Sequence, residues 1–129
     1  MAERPFEEVY AELRLAFVAS TKERLARMRG VLDEIVAGTG DPAEKVQALR
    51  RDAHGLRGLG GTYGYPLVTD AADRLETLTT DRGRLDTVGQ DKARLLIDAI
   101  ERALAMNDKP APAAADAFLR GLPTVDNAD

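Results

Sequence analysis

Apolar residues recur every third or fourth position along nearly the whole chain and show no sustained every-second-residue alternation, so helices are the dominant elements available to it. Phe6, Val9, Tyr10, Leu13 and Phe17 form one such stripe, with Pro5 where a first helical turn tolerates proline. Leu25, Met28, Leu32, Ile35 and Val36 form a second, opened by Ser20 or Thr21 as a cap and closed by Gly38-Thr39-Gly40. These two segments can equally run together as one bent helix. Asp41-Pro42-Ala43-Glu44 is a strong helix start, with a capping aspartate, proline at the first position and glutamate at the third. The third segment buries Val46, Leu49, Ala53 and Leu56 and frays into glycines near position 60. Tyr65-Pro66 opens a fourth, with Leu67, Val68, Ala71, Ala72, Leu75 and Leu78 inward. A fifth, after the loop at 80–84, carries Leu85, Val88, Leu95, Leu96, Ala99, Ile100 and Leu104. Short connections between amphipathic helices favour antiparallel neighbours. The expected fold is all-α: an up-down antiparallel four-helix bundle with an additional N-terminal helix, spanning residues 1–106.

Residues 107–129 read differently. Lys109-Pro110-Ala111-Pro112-Ala113-Ala114-Ala115 carries two prolines that oppose continuation of the preceding helix, so a Pro/Ala-rich flexible tail or linker is expected. Phe118, Leu119 and Leu122 give this tail some capacity to dock on the bundle or on a partner.

Composition removes several classes of function. The chain has no cysteine, which excludes disulfides, thiolate catalysis and cysteine-based zinc sites. One histidine leaves little scope for a transition-metal centre, so no metal and no cofactor are expected. Eighteen basic against 22 acidic residues give a net charge of −4, against nonspecific nucleic-acid binding, which needs clustered positive charge. With no membrane-length apolar run and no signal-peptide pattern, the expected location is the cytoplasm.

The single histidine stands in an unusual setting: Ala53-His54-Gly55-Leu56-Arg57-Gly58-Leu59-Gly60-Gly61-Thr62-Tyr63-Gly64-Tyr65. Each glycine costs roughly 0.5–1 kcal/mol against alanine in a helix interior, so the surface around His54 has some need to be bare. With Leu49, Ala53 and Leu56 as the buried stripe, His54 lies about 120° around the helix, on the solvent flank. Gln47, Arg50, Arg51, Arg57, Gly58 and Gly61 share that side. A neutral imidazole is a competent nucleophile near neutral pH. A phosphoryl group placed on it brings negative charge and strong acceptor oxygens, which Arg57 and Arg50 can meet. Gly58, one turn onward, removes the side chain that would obstruct a partner's active site, and Gly55 and Gly61 widen the clearing. Arg50, Arg51, Gly55, Gly58 and Gly61 are therefore candidate partner-binding residues.

His54-x-Leu56-Arg57-Gly58, with Gly64 ten residues past the histidine, resembles the signature of histidine phosphotransfer domains. The string Gly61-Thr62-Tyr63-Gly64-Tyr65 is similar to that of the N-terminal phosphotransfer domain of chemotaxis-type histidine kinases. The resemblance implies a helical bundle whose helix-borne histidine, His54, carries the phosphoryl group, with no kinase activity of its own. Lysine is the family's usual residue three positions on; Arg57 keeps the charge but replaces a compact ammonium with a planar fork. The resemblance also implies a glutamate on the next helix that bonds the reactive ring, and Glu76 in Asp73-Arg74-Leu75-Glu76 occupies the matching place. A carboxylate accepting the Nδ1 proton would orient the imidazole and leave Nε2 as nucleophile. The implied partners are a histidine kinase catalytic domain as phosphodonor and the receiver domain of a response regulator as acceptor, the latter bringing its own magnesium.

Rival readings fit less well. The glycines fail the dinucleotide fingerprint, and no Gly-Lys-Ser/Thr follows them. An acid–base enzyme would want His54 in a pocket with several polar partners. A helical scaffold or dimerisation module is the remaining alternative. Within the favoured reading, the GTYGY string suggests a domain excised from a larger kinase with the tail as its linker. The length of the chain and its initial methionine suggest a free-standing carrier.

Overall fold

A computed structural model describes residues 5–106 and 110–125. It contains five helices: α1 (Phe6–Ala37), α2 (Pro42–Gly60), α3 (Pro66–Thr79), α4 (Thr87–Ala105) and α5 (Pro112–Gly121). The first four close a ring in which α1 meets α2, α2 meets α3, α3 meets α4 and α4 returns to α1. Short connections join the consecutive helices α1 to α4, which gives the up-down antiparallel bundle expected from the sequence.

The two N-terminal stripes belong to one uninterrupted helix of 32 residues. No proline or glycine falls between Phe6 and Arg29, and Thr21 is buried within the helix instead of capping a new one. The helix stops at Gly38, whose φ of 73° suits glycine, while the Thr39 N–H closes on the Glu34 carbonyl at 2.9 Å. Asp41 then caps α2 by accepting from the Ala43 N–H at 3.1 Å, with Pro42 at the first position. Asp86 caps α4 by accepting from the Gly89 N–H at 2.7 Å, so Leu85 precedes the helix, buried.

The core is aliphatic, built from Leu25, Met28, Leu32, Val46, Leu49, Leu56, Val68, Leu75, Leu96, Ile97 and Ile100 with alanines between them. Two residues expected inward on the last bundle helix are outside: Val88 is 61% exposed and Leu95 53%. Leu95 lies about 100° around from the buried Leu96-Ala99-Ile100-Ala103 stripe. The N-terminal turns of α1 also leave Phe6, Val9 and Leu13 exposed, and Val36 near the other end is 51% exposed. There, packing runs through an aromatic chain instead: Phe17 stacks on Tyr63 (5.2 Å between centroids) and on Tyr65 (5.7 Å), and Tyr10 on Tyr63 (6.5 Å). Tyr10 donates its hydroxyl to the Thr62 carbonyl at 2.8 Å, and Arg14 Nε donates to the Tyr63 carbonyl at 2.9 Å. The GTYGY string is thus the turn that fastens α1 to the α2–α3 junction.

The segment expected to be a flexible tail contains a helix. Pro112 occupies the first position of α5, where a missing N–H is harmless, and the alanines after it favour helix. The same proline that cannot continue α4 can start α5. Leu122 is buried, Phe118 and Leu119 pack against the core, and Arg74 of α3 donates to the Pro123 carbonyl at 3.0 Å.

Candidate functional site

On α2, Leu49, Ala53 and Leu56 face the core and turn His54 outward. Asp52 locks this rotation from the α1 side, where Arg27 grips it through two bonds of 2.7 and 3.3 Å and Arg24 approaches to 3.8 Å. The His54 side chain is 70% exposed, and its polar partner among the described residues is Glu76 on α3, whose Oε2 lies 2.5 Å from Nδ1. Glu76 itself is only 9% exposed. Its other oxygen, Oε1, accepts from Arg57 Nη1 at 2.5 Å.

Burial pushes the Glu76 carboxyl upward, but the hydrogen bonds from His54 and Arg57, with the charges behind them, outweigh it. The group rests below its usual range. It is therefore a carboxylate at neutral pH and can only accept. The shared proton must then sit on Nδ1, which leaves the Nε2 lone pair of a neutral ring unprotonated on an exposed side chain.

The structure brings His54, Glu76 and Arg57 into one cluster, and it places Arg57 against carboxylates. Besides Glu76, the guanidinium lies 3.6 Å from Asp73. Arg50 and Arg51 are differently placed. With His54 and Glu76 they line an open depression of about 240 Å³. Neither has an ion-pair or hydrogen-bond partner among the described residues.

The glycines divide by cause. A Cβ on Gly58 would meet nothing within 4 Å, so the fold does not require a glycine there. Gly55 is not part of the open patch, because the Arg24 side chain of α1 lies where its Cβ would be. Gly61 donates its N–H to Thr69 Oγ1 at 2.8 Å and ends α2. Gly64 has a φ of 86°, a left-handed conformation that closes the turn. Gly60 is buried against the start of α3, where a Cβ would stand 2.6 Å from Thr69 Oγ1, 2.9 Å from the Thr69 N and 3.0 Å from the Tyr65 O. Two alanine substitutions should thus have opposite signs. Gly60→Ala is expected to destabilise by about 2 kcal/mol through a forced backbone shift. Gly58→Ala is expected to stabilise by about 0.5–1 kcal/mol through helix propensity. Thermal melts of the two variants check both.

The parts played by Asp52, Thr69 and Asp73 are not legible in the sequence. Their roles depend on which side chains face them from another element, and no local pattern carries that. One turn beyond His54, Leu13, Ala16, Phe17, Ser20, Leu59 and Tyr63 line a shallow groove of about 220 Å³ between α1 and α2. Among the described residues no group of three or more histidine, cysteine or acidic side chains could hold a metal ion. No helix there is long and apolar enough to cross a membrane.

The chain is thus a helical bundle that presents one exposed histidine held by a carboxylate of the adjacent helix. The Hpt domain family model matches residues 12–106, most of the chain and all four bundle helices save the first turns of α1. The chain belongs to the Hpt domain family. Membership gives it a histidine phosphotransfer role in two-component signalling, in a family of phosphocarriers without kinase activity that work with kinases and response regulators. No curated protein and no solved structure matches the chain.

Proposed function

We propose that His54 is the phosphoacceptor, taking a phosphoryl group from a histidine kinase and passing it to the aspartate of a response-regulator receiver domain in the cytoplasm. The observation that carries this is an exposed imidazole whose Nδ1 is held by a nearly buried carboxylate. In the forward step an N–P bond forms at Nε2, while the donor's bond to phosphorus breaks and its electron pair leaves with the donor. The Nδ1 proton stays in the hydrogen bond to Glu76, whose negative charge faces the positive charge that develops on the ring. In the onward step an aspartate oxygen of the receiver bonds phosphorus and the N–P pair returns to Nε2. Magnesium comes with the receiver.

The receiver docks on the α1–α2 face, with Gly58 as the clearing and the groove beside Leu59 as apolar contact. Glycine at 58 is explained by the partner, since the bundle itself leaves the space empty. The GTYGY string supports a closer kinship with phosphotransfer domains of chemotaxis-type kinases.

Incubation of the chain, labelled by a kinase, with a panel of receiver domains tests the reading. Label should be acid-labile on the chain and should move to at least one receiver. Gly58→Trp should keep the histidine chemically reactive toward phosphoramidate yet slow transfer to that receiver by about tenfold or more. Unchanged transfer would remove Gly58 from the docking face.

A further inference from the structure

We infer that Arg50 and Arg51, and not Arg57, are the cations that meet the phosphoryl oxygens on His54 and set the lifetime of the phosphohistidine. The inference rests on His54 being the phosphoacceptor. It starts from a division of labour among the three arginines that share the His54 side of α2. Arg57 follows His54 by three residues and spends its charge on Glu76 at 2.5 Å and Asp73 at 3.6 Å. Turning it to a phosphate would strip the Glu76 carboxylate of the partner that helps keep it ionised and in place.

Arg50 and Arg51 precede His54 by four and three residues, on the adjacent turn of the same face. Helical side chains lean toward the N-terminus, so the imidazole covers the turn that these two arginines occupy. With Glu76 they line a depression that His54 also lines, and neither is ion-paired to a carboxylate among the described residues. At about 240 Å³ the depression has room for a phosphoryl group.

The sign of the effect follows from the hydrolytic step. A water oxygen bonds phosphorus, the N–P electron pair returns to Nε2, and both water protons leave on the released phosphate. In a loose transition state the transferring group carries less charge than the starting dianion. Cations paired with the dianion therefore stabilise the phosphorylated state more than the transition state, and hydrolysis slows.

The test uses the whole chain labelled with phosphoramidate. Because His54 is the only histidine, the imidazole ¹⁵N signals report its tautomer without overlap. Arg50→Gln and Arg51→Gln should each shorten the phosphohistidine half-life about fivefold, and the double variant by about twentyfold, with the tautomer of the unlabelled ring unchanged. Arg57→Gln should shift the tautomer signature and leave the half-life within about twofold. Half-lives in the Arg50 and Arg51 variants equal to wild type, or a larger loss in Arg57→Gln with an unshifted tautomer, would overturn the inference alone. A wild-type chain that takes no label from phosphoramidate or from a kinase would overturn the phosphocarrier reading, and this inference with it.

Discussion

His54→Gln is expected to abolish phosphoryl labelling while leaving the bundle as stable as the wild type. The side chain is 70% exposed and among the described residues its polar contact is with Glu76, so the aliphatic core does not depend on the ring. Glutamine can still donate an amide hydrogen to the carboxylate, and Arg57 continues to hold the other oxygen. A surface exchange of this kind changes stability by about 0.5 kcal/mol or less. An amide nitrogen, however, has no lone pair available to attack phosphorus. Radiolabel transfer from a kinase measures the first effect and a thermal melt by circular dichroism the second. Retention of acid-labile label in this variant would mean that the nucleophile is not His54.

The second large effect belongs to Glu76. Glu76→Ala should lower the labelling rate by about tenfold without eliminating it, the loss of roughly one hydrogen bond of 1–1.5 kcal/mol that orients the ring. The imidazole then samples both tautomers, and part of the population has its proton on Nε2. Glu76→Gln should cost about 1 kcal/mol of stability at neutral pH, since Arg57 loses the nearer of its two charged partners. That cost depends on pH in a definite direction. The folded carboxyl lies below its ordinary value of 4.5, so the native state binds this proton less readily than the unfolded chain. Its stabilisation is complete above 4.5 and fades as pH falls through the lowered folded value. The difference in melting temperature between wild type and Glu76→Gln should therefore shrink in acid. A gap that stays constant down to the acid-unfolding limit would show that the carboxylate's charge contributes nothing.

Both predictions depend on how α2 is turned, and that was legible in the chain. The spacing of Leu49, Ala53 and Leu56 places His54 on the solvent side because 3.6 residues per turn is a local property. Helix starts at Asp41-Pro42 and Tyr65-Pro66 were legible for the same reason, as capping and proline act within one turn. The seam at Ser20-Thr21 was ambiguous: hydroxyls able to cap a helix are also tolerated inside one, and only burial of Thr21 between helices decides. Val88 and Leu95 were misplaced because an apolar side chain one step off a stripe looks the same in sequence as one on it. The α5 helix was missed because proline stops one helix and starts another with the same chemistry.

The glycines show the limit most clearly. A glycine in a helical sequence announces that something comes close, or must, but not what. At Gly55 it is an arginine of α1, at Gly60 the start of α3, at Gly64 the chain's own turn, and at Gly58 nothing among the described residues. The same holds for the arginines: sequence puts Arg50, Arg51 and Arg57 on one face, and tertiary contact alone commits Arg57 to Glu76 while leaving the other two without an ion pair among the described residues.

By itself, then, the chain determined four bundle helices, their order, and the outward aspect of its single histidine, because periodicity and caps act over a few neighbouring residues. Packing of α3 against α2 decided which carboxylate meets the ring, which arginine is spent on that carboxylate, and which glycine stays bare. Those outcomes join residues some twenty positions apart, and a distance of 2.5 Å between two side chains is fixed only when the helices carrying them are fixed against each other.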